Sequence, residues 1–263
     1  MKLHALQTGT ADLKQAFLHP RPGLAGRLGL LLPGTWAPPI PIRAWLIEHN
    51  DHRILVDTGE THEVKNLPFA RYNVTVADEL PNALAKIGMT ASDLDTVVVT
   101  HLHSDHTDGA VHVNGPVLVS QTEWRAANSR MGRVAQRLSR APLPAGVDFR
   151  PFALNDGPFG TFAASRRLTD DGRVLAVSTP GHTPGHTSVV AIDDDGRHVL
   201  LAGDATDSLE QLRSRRPDAI APNPRLLVET IDRILAHGRQ HPTVYIPTHD
   251  PDSPARLKDR TLL

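Results

Sequence analysis

Thr100-His101-Leu102-His103-Ser104-Asp105-His106, closing the run Thr96–Thr100 (TVVVT), is the stretch that decides how this chain folds and what it holds. Three imidazoles and one carboxylate within residues 101–106 are costly to gather unless a cation offsets their desolvation and mutual repulsion. The preceding β-branched run is of the buried-strand type, so the histidines sit in the loop at a strand end. In a tight loop alternate residues point to one side. That places His101 and His103 on one ion and lets Asp105 and His106 reach a second. The competing reading, a solvated polar loop that happens to be rich in histidine, leaves the rest of the chain's pattern unexplained.

Working outward, further ligand types recur in the same setting. His182 lies in Thr179-Pro180-Gly181-His182-Thr183-Pro184-Gly185-His186, after the strand-like Val174–Ser178. Asp204 follows Gly203 after His198–Leu201, and His249 lies in Pro247-Thr248-His249-Asp250 after Thr243–Ile246. Each candidate sits in a loop after a predicted strand, where a sheet edge can collect residues distant in sequence.

Composition narrows the chemistry. The chain has 263 residues, enough to bury a sizeable core, and a net charge of −1, which offers no footprint for nucleic acid or an anionic membrane. It contains no cysteine, which excludes disulfides and thiolate metal sites together, so any metal falls to His, Asp or Glu. Met1–Leu18 carries Asp12 and Lys14 and reads as neither signal peptide nor anchor, and no segment reaches 18 uninterrupted apolar residues. The expectation is a cytoplasmic protein with no membrane partner.

Strand and helix signals alternate along the whole length, which predicts one α/β domain over residues 1–263 rather than two independent units. Leu32–Pro41 is proline-rich and reads as extended chain. Ile42–Glu48 and Arg53–Asp57 read as strands joined by a turn at Asn50–Asp51, and Ser188–Ile192 as another strand. Val76, Leu80, Leu84 and Ile87 have helical spacing before Gly88, with Pro81 interrupting. Ser120 with Glu123 has capping-box spacing and opens a helix bearing Arg125, Arg130, Arg133 and Arg137, a solvated face. Asn223-Pro224 starts a helix with Leu227, Ile231, Ile234 and Leu235 on one stripe.

Taken in order, VDTG (Val56–Gly59), HLHSDH, TPGHTPGH, GDA (Gly203–Ala205) and THD (Thr248–Asp250) resemble the metallo-β-lactamase superfamily over nearly the whole chain. The resemblance implies an αβ/βα four-layer sandwich with two metal ions at one edge. It implies that His101, His103 and His182 bind the first ion, that Asp105, His106 and His249 bind the second, and that Asp204 bridges both. Asp57 resembles the family's supporting aspartate, although a turn residue in D-T-G explains it equally well. His186 is expected to stay outside the ligand set. Zinc is the expected metal, with iron, manganese or cobalt as alternatives.

Two divalent ions bring +4 while Asp105, Asp204 and a bridging hydroxide bring −3, leaving a core of about +1 suited to an oxyanion. The implied chemistry is attack of that hydroxide on a carbonyl, with Asp105 as the catalytic group that orients or shuttles the proton. Absences discriminate within the superfamily. Its common zinc β-lactamases use a cysteine ligand that is missing here, and the subclasses without that cysteine also lack the bridging aspartate that Asp204 supplies. Only 14 residues follow His249, too few for the helical region of glyoxalase II-like thioesterases, and nuclease or flavodiiron relatives need extra domains.

The best match is the N-acyl-homoserine lactonase, or quorum-quenching, group, which implies a small lactone or ester as substrate. The rivals are a general esterase, thioesterase or phosphodiesterase-like hydrolase, and a non-catalytic ligand binder, on the same scaffold. One departure stands out: those lactonases carry a tyrosine three residues after the bridging aspartate, where this chain has Asp207, and its only tyrosines are Tyr72 and Tyr245. Phe17, Trp36, Trp45, Phe69 and Tyr72 are candidates for an acyl-chain pocket, with core packing the competing role, above all for Trp45. Oligomeric state is not legible.

Overall fold

The computed structural model describes residues 1–18, 30, 32–139 and 141–263. Two mixed sheets face each other. The larger has seven strands: β1 (Lys2–Leu13), β2 (Ile40–His49), β3 (His52–Val56), β4 (Ala70–Asn73), β5 (Thr96–Val98), β6 (Val117–Ser120) and β7 (Phe149–Phe152), in the order β4-β1-β2-β3-β5-β6-β7. The smaller has five: β8 (Ser165–Arg167), β9 (Val174–Ser178), β10 (Thr187–Ile192), β11 (His198–Gly203) and β12 (Thr243–Pro247), in the order β12-β11-β10-β9-β8.

The period-2 alternation of strand side chains sorts the core into layers. Trp45 and Ile47 of β2 point between the sheets and meet Val199, Leu201, Val244 and Ile246 from the smaller sheet. Their neighbours Ala44 and Leu46 point outward, under Leu80, Ala83 and Leu84 of helix α2 (Leu80–Ala85). On the far side, Leu200 and Tyr245 pack against Leu227, Ile231 and Ile234 of the long helix α7 (Pro224–Gln240), where Asn223 Oδ1 accepts from the Leu226 amide at 3.1 Å as N-cap. Helix, sheet, sheet and helix are thus the four layers expected of the superfamily. No helix among the described residues is long and apolar enough to cross a membrane.

Some local expectations change. The predicted helix from Val76 to Ile87 divides into a 3-10 turn at Val76–Asp78 and α2, because Pro81 has no N–H to give and fits only in a first helical turn. The arginine-bearing helix likewise divides into α4 (Gln121–Ala127) and α5 (Arg130–Ser139). Asn128 Nδ2 turns back to the Trp124 carbonyl at 3.0 Å, and Ser129 Oγ accepts from the Gly132 amide at 3.0 Å, restarting the chain as a new helix. The four arginines are exposed, as a solvated face requires. The β5 ladder stops before Thr100, whose amide is taken by the Asp57 carboxylate at 2.7 Å.

Strand direction places the site. β3, β5 and β6 are parallel neighbours. β11 and β12 are parallel, and β9 shares their direction because β10 runs antiparallel to both β9 and β11. The loops carrying Asp57, His101–His106, His182, Asp204 and His249 therefore follow the C-terminal ends of β3, β5, β9, β11 and β12. They meet at one edge.

Candidate metal centre

Two groups of donors form at that edge. His101, His103, His182 and Asp204 offer ligand atoms within 4.8 Å of one another, as do Asp105, His106 and His249. His103 Nδ1 lies 2.9 Å from His101 Nε2 and 3.0 Å from His182 Nε2. Asp204 faces both groups: Oδ2 is 3.5 Å from His182 Nε2 and 4.0 Å from His101 Nε2, while Oδ1 is 3.3 Å from both His106 Nε2 and His249 Nε2. Asp105 Oδ2 is 3.4 Å from His249 Nε2 and 3.8 Å from His106 Nε2. A tetrahedral ion with bonds of about 2.0–2.2 Å holds its ligand atoms about 3.3–3.6 Å apart, the middle of this range. All seven residues singled out from the sequence are brought together.

The partners of the outer ring nitrogens leave a lone pair pointing inward on each ring that is neutral. His249 Nδ1 donates to the Pro41 carbonyl at 2.9 Å, and a carbonyl can only accept, so Nε2 is bare when the ring is neutral. His182 Nδ1 donates to Asp218 Oδ2 at 2.8 Å, and His106 Nδ1 to Asp57 Oδ2 at 2.9 Å. His101 Nδ1 contacts Thr100 Oγ1 at 3.1 Å, a hydroxyl whose own proton goes to Asp57. His103 Nδ1 can give one proton to only one of its two neighbours, so the remaining inward lone pairs and carboxylate oxygens stay unmatched unless cations lie between them. His106 Nε2 and Asp204 Oδ1 are buried with no hydrogen-bond partner, the polar atoms such a cation would satisfy.

Without a metal, protons divide unevenly over the cluster. Burial lowers the His182 pKa, but Asp218 and Asp204 outweigh it and carry it up to about 9. Burial likewise opposes, and Asp204 and Asp105 reverse, the shift at His249, also up to about 9. His103 falls to about 4 through burial and the charge of His182. His101 is held well below its ordinary value by burial and His106. Anions attract protons to some rings, and those cations expel them from the others. Divalent ions resolve that conflict for every ring at once.

A further layer holds the donors. Asp57, in the left-handed region at φ 62°, ties Thr100 and His106 together. His186 Nε2 accepts from the Asp204 amide at 3.0 Å while its Nδ1 contacts Thr179 Oγ1 at 2.9 Å, so both ring nitrogens are committed to placing Asp204. Arg43, buried beneath the His249 loop, donates to the carbonyls of Asp250 at 2.7 Å and Thr248 at 3.3 Å. Three members were missed, Arg43 among them, since an arginine inside an apolar strand gives no sign of what it holds. Asp218 sits in an irregular segment with no local signature, and only its position against His182 reveals it. Glu123 reads as half of a capping box; its backbone amide does donate to Ser120 Oγ at 3.1 Å. Its side chain does not return to the cap. Oε1 accepts from the Leu102 amide at 3.1 Å and Oε2 from the Gly185 amide at 3.0 Å, joining the two histidine loops. Ser120 ends a strand, so its own amide needs no helix partner.

Above the donors lies a cavity of about 370 Å³, within the range of small-molecule sites. Its floor includes His103, Asp105, His182, Asp204 and His249, and its walls include Leu13, Phe17, Ile40, Leu67, Phe69 and Ile220. Of the five aromatics considered, Phe17, Phe69 and Tyr72 line it. Trp45 is buried between the sheets, and Trp36 stacks under Arg71 at 4.0 Å. Asp207 also lines it, its carboxyl pushed up to about 7 by burial and by Asp204.

A family model described as the metallo-β-lactamase superfamily matches residues 37–249. The chain belongs to that superfamily. This metallo-β-lactamase-fold hydrolase is 26% identical over 226 residues to the N-acyl homoserine lactonase AiiA of Bacillus thuringiensis subsp. kurstaki, covering 80% of this chain and 82% of that one. In architecture it matches an N-acyl homoserine lactone hydrolase solved with the product N-hexanoyl-L-homoserine at its catalytic metal center, with TM-score 0.75, 22% identity, and coverage of 100% and 97% of the two chains. AidC, a dizinc quorum-quenching lactonase in complex with its product, matches with TM-score 0.66 and 18% identity, covering 95% of this chain and 87% of its own. Its relatives are metal-dependent lactone hydrolases, and a His/Asp cluster able to hold metal is present here.

Proposed function

We propose that this protein opens the ester ring of N-acyl-homoserine lactones or related lactones, using two divalent ions, with zinc the expected metal. The observation that carries the reading is the cavity: a floor of convergent imidazoles and carboxylates under walls of aliphatic and aromatic side chains. That combination suits a polar ring at the bottom and an acyl chain along the side.

His101, His103 and His182 would hold one ion and Asp105, His106 and His249 the other, with Asp204 within reach of both groups. Two such ions supply a Lewis acid for a carbonyl and a water-derived nucleophile near neutral pH. The chain's own residues do the rest. Asp218, Asp57 and the Pro41 carbonyl keep the imidazole lone pairs aimed inward by holding the outer protons. Asp105, at the cavity floor, accepts the proton released as water adds to the carbonyl carbon, and returns it to the ring oxygen as the ester bond breaks. The apolar walls exclude water and hold the acyl chain.

The test is a substrate panel with zinc-reconstituted protein: acyl-homoserine lactones of several chain lengths, simple lactones, thioesters and phosphodiesters. Lactone turnover well above the others is expected. Turnover of thioesters or phosphodiesters without any lactone would replace this reading by that of a general hydrolase on the same scaffold. Bound metal without turnover of any ester would favour a ligand binder.

A further inference from the structure

A carbonyl that gains negative charge at the cavity floor gains most from a neutral donor aimed at it from the side away from the ligands. Few side chains lining the cavity can serve. Gln136 Nε2 is already given to the Ala127 carbonyl at 3.0 Å, and Ser139 Oγ to the Ala135 carbonyl at 2.9 Å. Tyr245 is turned into the outer layer of the smaller sheet, its hydroxyl against Thr206 Oγ1 at 2.8 Å. Asp207 is a carboxyl crowded by Asp204 and Asp218. Tyr72 and Ser104 are left, side by side at the floor.

Tyr72 is firmly placed. It lies in β4, opposite Ala11 of β1, and its amide donates to Asn66 Oδ1 at 2.8 Å. It lines the same cavity as Ser104, Asp105 and Asp204, with the phenol in the neighbourhood of Ser104 and of the Asp105, Glu60 and Asp204 carboxylates. Strand-borne groups hold their geometry better than loop-borne ones.

We propose that Tyr72 is a catalytic residue, its hydroxyl donating a hydrogen bond to the substrate carbonyl oxygen as that oxygen becomes an oxyanion. This rests on the lactonase reading for the identity of the ester, though not for the donor's role. The phenol gives up no proton: the water oxygen joins the carbonyl carbon, the ring C–O bond breaks, and the water's proton goes to the leaving oxygen.

The experiment compares wild type with Tyr72→Phe, both zinc-loaded. Expected are a fall in kcat of about 10²-fold with KM within a few-fold, and affinity for ring-opened N-hexanoyl-homoserine weakened about tenfold by calorimetry. Zinc content and Tm stay unchanged. A kcat within about twofold of wild type would overturn the proposal, as would a kcat loss accompanied by loss of zinc or of Tm. If wild type opens no lactone but cleaves an aryl ester, the lactonase reading fails and Tyr72 is judged on that ester by the same thresholds. If it cleaves neither, hexanoate binding decides: equal affinity in the two proteins overturns the donor, and about tenfold weaker binding to Tyr72→Phe supports it.

Discussion

The floor and the walls of the cavity are built on opposite principles. At the floor, the outer nitrogens of His101, His106, His182 and His249 have named partners, and Asp204 is set by a hydrogen bond to its own amide from behind. The walls draw on separate segments, β1, Ile40 of β2, the β3–β4 connection, Ala70 and α5, and meet the cavity mainly through apolar surface. The floor tolerates no loose atom, because each unpaired one lies buried beside others of like polarity. The walls need only the right volume. A change at the floor should therefore act on metal and chemistry, and a change at the walls on the choice of substrate.

The largest effect tests the floor directly. Asp105→Asn keeps the shape but removes the proton carrier, and kcat on the best lactone should drop by about 10²–10⁴ with the circular dichroism unchanged. Next comes pH. His182 and His249 titrate near 9 in the metal-free fold, so each proton held below that pH must leave when metal binds. Affinity must then rise with pH up to at least about 9, by up to about a hundredfold per unit for those two protons, and the proton that Asp204 and Asp57 hold on His106 adds to the rise. Competition with a chelating dye between pH 6 and 10 reads this out, and a flat profile from 7 to 9 would contradict it. Asp218→Ala frees the outer nitrogen of His182 and should weaken metal binding about 10–100-fold in the same assay.

The walls give smaller and more selective effects. Phe69→Ala should raise KM for long-chain lactones about tenfold, with short-chain ones moving less than about twofold. An equal effect on both would mean that the walls also set the floor. The smallest change in metal is expected from His186→Ala. It strips the Asp204 amide of its acceptor at a cost of about 1–3 kcal/mol in stability, with metal content unchanged. Loss of one ion per chain by elemental analysis would instead put His186 among the ligands.

The same contrast explains what could be read from the sequence. All seven floor residues were legible because each follows a strong strand signal in a short loop, so that a few residues define both its place and its chemistry. The interspersed strand and helix signals pointed to one α/β domain, while the four-layer order was implied by the family resemblance. Asp218 was not legible: it acts on His182 from 36 residues away, through folding alone. Glu123 was legible only as a cap, since its side-chain partners Leu102 and Gly185 belong to two loops brought together by both sheets. Trp45 was legible as core from its place in a strand, but hydrophobicity alone does not tell which of the other aromatics, such as Phe69, reaches a cavity. The split of Val76–Ile87 was signalled by Pro81, but periodicity alone overrode it.

Burial of the floor has a last consequence. His101 and His106 have no exposed surface, and the other five donors line the cavity. On the lactonase reading, ions and acyl chains would share one doorway, and a chain lodged there would act as a stopper over the ions beneath it. The working protein would then resist stripping by competing chelators better than the idle one.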